Sequence, residues 1–203
     1  HTAELATRKV NILWIDSEKI TEDNVAQTLK DADGVLVPGG FGERGIEGMI
    51  VAIRWARENN VPFLGICLGM QLSIVEYARD VMGIADANSA EFDPQSQNHV
   101  IDLMPEQKDV EQLGGTMRLG KYPCKLTPST LAAKLYDNVP LIYERHRHRF
   151  EVNNDYRTRM EEAGITFCGK SPDDRIVEMM EIDSHPFFIG SQFHPEFKSR
   201  PNR

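Results

Sequence analysis

Apolar positions along the chain fall in short runs, separated by stretches whose apolar residues recur at helical spacing. Residues 10–15 (VNILWI), apolar and rich in β-branched side chains, predict a strand. Over residues 21–30, Val25 and Leu29 stand four apart, which predicts a helix. Residues 34–38 (GVLVP) read as a buried strand ended by Pro38-Gly39-Gly40. Ile46, Met49, Ile50 and Ile53 share a stripe of a helix over 45–59. Residues 61–66 predict the next strand and 68–80 the next helix. Residues 83–128 break the pattern: they are rich in Asp, Asn, Gln, Pro and Gly, with one short apolar stretch at 100–104, and predict loops and short strands. Further on, the pattern predicts a helix over 129–136, capped by Ser129 or Thr130. It then predicts a strand over 148–152, a helix over 154–163 stopping at Gly164, and three strands at 165–169, 176–182 and 187–192. Short alternating strands and helices predict an α/β fold: an open, mostly parallel sheet flanked by helices, with additional short strands.

Composition narrows the class. The 203 residues suffice for one sizeable core, so a single domain over 1–203 is expected. No apolar run approaches membrane-spanning length. Lys+Arg 23 against Asp+Glu 31 gives a net charge of −8, which disfavours a nucleic-acid binder. The three cysteines, Cys67, Cys124 and Cys168, are widely spaced and form neither a zinc pattern nor a disulfide framework, so a cytoplasmic protein is expected. The first residue is His1, and the chain reads as a fragment of a longer one.

Candidate chemistry gathers where predicted strands end, the place where open parallel sheets form their sites. Cys67 stands between the strand 61–66 and the helix 68–80, with Gly65 and Gly69 two residues to either side. That is the mechanical layout of a nucleophile elbow, with Cys in place of Ser. Free N–H groups at the following helix start stabilise a thiolate and a developing oxyanion. Taken alone, Cys67 reads equally well as a small buried apolar residue. A thiolate nucleophile calls for a base and an orienting group. His194, held extended by Pro195, and Glu196 two residues on are placed to face one site. The glycines of residues 38–42 (PGGFG) let backbone N–H groups approach a ligand, and donors from Gly40 and Leu68 would form a two-point oxyanion hole.

Pro38-Gly39-Gly40, Gly65-Ile66-Cys67-Leu68-Gly69-Met70-Gln71 and His194-Pro195-Glu196, in that order, resemble the class I (triad) glutamine amidotransferases. The stretches PGGFGERG (38–45), NSAEFD (88–93), GGTMRLG (114–120) and RHRHRFEVN (145–153) resemble, more narrowly, the C-terminal glutaminase domain of the CTP synthase family. The resemblance covers nearly the whole chain and implies a flavodoxin-like sheet. It implies that Cys67 attacks the side-chain amide of L-glutamine, that His194 moves protons and Glu196 orients it, and that ammonia travels to an N-terminal synthetase domain where ATP-activated UTP becomes CTP. The family pattern carries a strand–helix unit ahead of His1 and a helix beyond Arg203.

Glutamine also presents an ammonium and a carboxylate. Glu91 suits the first and matches the family position; Arg149 suits the second, with Arg145 and Arg147 close by as alternatives. Gln71, one turn after Cys67, is expected to face the substrate. The resemblance implies no cofactor and no metal in this domain, ATP and magnesium in the synthetase domain, GTP as an allosteric activator, and a homo-oligomeric full-length enzyme. No cysteine or carboxylate stands at ligand spacing to make a metal site of His146 and His148. For GTP the candidates are Phe41, whose ring would stack on the purine, Arg44, and Arg118 on a mobile lid; the competing reading packs Phe41 under its loop and leaves both arginines solvated. Rival assignments are another class I glutaminase subunit, a γ-glutamyl hydrolase acting alone, and a regulatory or assembly module.

Overall fold

The computed structural model describes residues 7–104 and 117–200. In chain order the helices are α1 (Val25–Leu29), α2 (Ile46–Glu58), α3 (Leu68–Asp80), α4 (Leu131–Leu135) and α5 (Asn154–Ala163). The strands are β1 (Val35–Val37), β2 (Phe63–Ile66), β3 (Ala87–Ser89), β4 (Asn98–Asp102), β5 (Arg118–Leu126), β6 (Leu141–His148), β7 (Glu151–Val152), β8 (Ile165–Lys170), β9 (Val177–Ile182) and β10 (Phe188–Ser191).

Seven strands form one sheet in the order β1-β2-β10-β9-β8-β5-β6. β1, β2 and β10 run parallel; β9, β8, β5 and β6 continue the sheet in antiparallel fashion. A smaller sheet, β3-β4-β7, stands beside it. Helices flank the main sheet, as the α/β pattern predicts. Strand side chains alternate between faces, so each strand feeds two cores. Phe188 joins Phe63, Ile53, Met70 and Ile74 in the core under α2 and α3. Ile189, the next residue, joins Ala132, Cys124, Cys168 and Phe193 on the α4 side. Phe63 and Phe188 stack at 4.4 Å between ring centres, fixing β2 against β10.

The α3 prediction coincides with the observed helix, and the three strands β8, β9 and β10 lie within a residue of their expected limits. Thr130 is the α4 cap, its hydroxyl accepting from Ala133 N–H. Residues 10–15 correct the sequence reading. They form no strand, and Trp14 stands 90% exposed. A strand exists only through pairing, and β1, whose one paired neighbour in this sheet is β2, takes up no ladder with them. The second correction concerns β6: the expected strand over 148–152 is a break between β6, which begins at Leu141, and the two-residue β7. Within 83–128, which the pattern left to loops and short strands, β5 is nine residues long.

Candidate active site

The elbow comes first. β2 ends at Ile66, α3 begins at Leu68, and Cys67 between them has φ 53° and ψ −102°. Such a backbone costs a non-glycine residue about 1–3 kcal/mol and persists only where surroundings enforce it. Two bonds do so: Cys67 N–H donates to Ser191 O at 2.7 Å, and Cys67 O accepts from Gln71 N–H at 3.1 Å. The flanking glycines have a steric reason. A Cβ on Gly65 would lie 2.7 Å from the Gly69 carbonyl carbon, and one on Gly69 would lie 2.1 Å from Val37 O. Helix α3 therefore rests directly on β2 and β1, and its first turn points its N–H groups at the strand ends.

His194 follows β10. Its N–H donates to Arg145 O on β6 at 2.8 Å, and its Nδ1 lies 2.7 Å from Glu196 Oε1. An ionised carboxylate only accepts, so Nδ1 carries the proton and Nε2 keeps its lone pair. Glu196 sits within a short 3-10 turn, Pro195–Phe197, rather than in a continuing strand. Phe197 stacks on the imidazole at 4.7 Å and 9°. Gly39 separates base from thiol: a Cβ there would meet His194 Cε1 at 2.6 Å and Cys67 Cβ at 3.5 Å. The first glycine of the 38–42 loop thus lies between the two groups that the sequence marks as nucleophile and base.

A pocket of about 170 Å³ opens at Cys67, lined also by Gly40, Gln71, Glu91 and Arg149. One anion and one cation on its wall are what a zwitterionic amino acid requires. Glu91 Oε1 accepts from Gly42 N–H at 3.4 Å. Its pKa is raised by burial, with the Gly42 N–H and the nearby Arg149 charge opposing the rise. Gln71 lines the pocket, yet its amide nitrogen donates elsewhere: to Phe150 O at 3.0 Å and to Gln192 Oε1 at 3.1 Å.

Burial pushes the Cys67 thiol up to about 12, and the charges of Glu151, Glu91 and Glu196 add to the rise; the Leu68 N–H opposes it. The resting sulfur is therefore a thiol, and its S–H points to Arg147 O at 4.0 Å. It becomes a nucleophile only when a base removes that proton during attack.

The GTP candidates separate. Phe41 is 59% exposed on the pocket rim, with the Arg147 guanidinium 5.8 Å from its ring centre. Arg44 is exposed and bonded to Glu18 Oε2 at 2.5 Å. Arg118 is not on a lid over this rim. It lies in β5, half-enclosed between Glu151 (3.1 Å) and Glu178 (2.8 Å), while its neighbour Met117 lines the pocket. Residues 114–116 of the same motif lie outside the described residues.

Three features escaped the sequence reading. Gln192, fully buried, sends Nε2 to Cys67 Sγ at 3.6 Å. Phe197 carries the imidazole stack. Behind the site, Arg118, Glu151, Glu178, His146 and His148 form one buried charge cluster, with His148 Nε2 2.8 Å from Glu151. Burial, then the Arg118 charge, lowers the His146 pKa to about 2, and burial raises Glu178 to about 7 against the pull of Arg118. The alternation Arg145-His146-Arg147-His148 was the available signal, since it buries every second residue. Among the described residues no group of three or more His, Cys, Asp or Glu is placed to hold a metal ion, and no helix is long and apolar enough to cross a membrane.

Comparison with known proteins gives the family. The family model for glutamine amidotransferase class-I matches residues 1–203. The CTP synthase of Clostridium acetobutylicum is 62% identical over 194 residues, 96% of this chain and 36% of that protein. The CTP synthase of Bacillus subtilis is 59% identical over the same shares. The chain thus spans about a third of the length of these relatives. Among solved structures, the Trypanosoma brucei CTPS glutaminase domain with bound acivicin superimposes with a TM-score of 0.92 at 38% identity, covering 98% of this chain and 78% of that one. A glutamine amidotransferase from Thermotoga maritima, at 14% identity and a TM-score of 0.59, shares the fold. A match along its entire length and a close superposition on a CTPS glutaminase domain place the chain in one family: it belongs to the class-I glutamine amidotransferases, among the glutaminase domains of CTP synthases.

Proposed function

We propose that this domain hydrolyses L-glutamine to glutamate and ammonia through Cys67, His194 and Glu196, and that the ammonia aminates UTP in a synthetase domain of the longer protein. The observation that carries the reading is a strained elbow cysteine on the wall of a pocket that Glu91 and Arg149 also line, with a carboxylate-held imidazole just across Gly39 from it.

Glutamine would enter with its ammonium at Glu91 and its carboxylate at Arg149, leaving the side-chain amide before the sulfur. His194 Nε2 takes the thiol proton as Sγ bonds to the amide carbon. The oxygen that becomes negative is held by the N–H groups of Gly40 and Leu68. The imidazolium, stabilised by Glu196, returns its proton to the departing nitrogen, and ammonia leaves a glutamyl thioester. Water then attacks the thioester with His194 again as base, releasing glutamate and restoring the thiol. In this reading ATP and magnesium act in the synthetase domain, and GTP activates from the Phe41–Arg44 loop. An exposed ring on a glycine loop beside the oxyanion donor supports that placement, whereas the ion pairs of Arg118 with Glu151 and Glu178 speak against counting it among the contacts.

The test is ammonia release from glutamine by the purified protein. Release by the native chain and none by Cys67→Ala is expected. In the full-length enzyme, Cys67→Ala should lose glutamine-dependent CTP formation and keep ammonia-dependent formation; loss of both would contradict the division of labour. Phe41→Ala and Arg44→Ala should lose GTP stimulation and keep the ammonia reaction, and an unchanged GTP response in both would remove the loop from regulation.

A further inference from the structure

Gln192 has a fixed polarity, and the chain of bonds that fixes it can be followed atom by atom. The carbonyl of Phe150 can only accept, so the Gln71 amide must turn its NH2 towards it, at 3.0 Å. That same NH2 lies 3.1 Å from the Gln192 side chain, which must therefore present its oxygen. Only the NH2 of Gln192 is then left for the sulfur of Cys67, 3.6 Å away. A buried amide pair is free to flip only if both ends accept either orientation; here a main-chain carbonyl at one end removes the choice. Gln192 is itself fully buried, and its N–H donates to Glu178 O at 2.8 Å, so its backbone is pinned as well.

We propose that Gln192 is a positioning residue for the glutaminase reaction, whose side-chain NH2 holds the Cys67 sulfur as it becomes negative, and that Gln71 sets its orientation from the Phe150 carbonyl beside the substrate clamp. This rests on the glutamine-hydrolysis reading above. At rest the sulfur keeps its proton, directed at Arg147 O. When His194 removes that proton, the Gln192 NH2 and the Leu68 N–H are donors to the thiolate, the latter passing to the oxyanion as the S–C bond forms. Both are in place beforehand, so no reorganisation accompanies attack. The donor matters most here because Glu151, Glu91 and Glu196 all oppose a negative sulfur. Gln71, expected from sequence to touch the substrate through its amide, acts in this account one bond further back.

The experiment uses alkylation of Cys67 by iodoacetamide across pH, which reports thiolate formation without requiring glutamine turnover. In Gln192→Met, nearly isosteric and without a donor, the alkylation rate at pH 8 should fall roughly tenfold or more, the size of one hydrogen bond to a charged group. With glutamine, kcat should fall by a similar factor and KM should hold. Gln71→Met, which leaves the sulfur's neighbour in place but frees it to flip, should shift the profile in the same direction by less. Should Gln192→Met fail to fold, Gln71→Met decides: with Gln192 free to turn its oxygen to the sulfur, alkylation of Cys67 at pH 8 should still slow. An unchanged alkylation rate in a folded Gln192→Met, or in Gln71→Met where Gln192→Met does not fold, would overturn the proposal. A native protein that alkylates as described but releases no ammonia from glutamine would instead overturn the glutaminase reading and leave the Gln192–thiolate bond standing.

Discussion

The elbow around Cys67 and the interior around Cys124 and Cys168 hold the same side chain at the same degree of burial, and they differ in what surrounds the sulfur. Burial raises all three thiols: Cys67 to about 12, Cys124 and Cys168 upward as well. Cys168 faces the Glu181 carboxylate, whose charge and hydrogen bond both favour its protonated form. Cys124 points to Lys125 O at 3.9 Å within the α4-side core. Cys67 alone of the three lines the pocket, sits on a strained backbone and is approached by the Gln192 NH2. A buried thiol is thus inert by default. What distinguishes a candidate nucleophile is a base within reach and donors aimed at the charge it will carry, not a lowered resting pKa.

The largest effect expected is at the nucleophile. Cys67→Ala should reduce ammonia release from glutamine to background, measured by coupled assay, while the fold by circular dichroism is retained. Next is the base: His194→Ala should lower kcat by about 10²–10⁴-fold. Glu196→Gln should cost less, because it weakens the orientation of a base that remains; the reverse order would mean that these two roles are exchanged. The clamp follows. Arg149→Ala and Glu91→Ala should each weaken glutamine binding by about 1.5–3 kcal/mol, read as a raised KM. Smallest are the interior thiols. Cys124→Ala and Cys168→Ala should leave turnover unchanged and lower stability by about 1 kcal/mol. All three thiols ionise later in the folded state than in the unfolded chain, so they favour the fold below pH 9 and that contribution fades towards pH 12. Replacing Cys168 by Ala should flatten this alkaline loss in a denaturation series across pH.

The elbow was legible because its signals are local: an apolar run, a glycine at each side and a helical stripe directly after Cys67. Helix α3 and strands β8 to β10 were legible for the same reason, the helix by its spacing and the strands as short, largely apolar runs. β6 was not. Its buried positions are Ile142, Glu144, His146 and His148, so the alternation that marks a strand is carried by charged and polar side chains. Residues 10–15 failed in the opposite way: the apolar pattern is present, but the segment takes up no pairing with β1, whose outer edge stays open among the described residues, and pairing is what no local pattern reports. Gln192 was invisible for a third reason. A single amide just past the end of β10 carries no local signal, and its meaning lies in bonds to Gln71 and Cys67 that are distant in sequence.

The most direct measurement is covalent labelling with an electrophilic glutamine analogue, followed by intact-mass determination and peptide mapping. The account predicts one label per chain, on Cys67, slowed by added glutamine and absent from Cys67→Ala. A label on Cys124 or Cys168, or modification of Cys67 that glutamine does not slow, would contradict it.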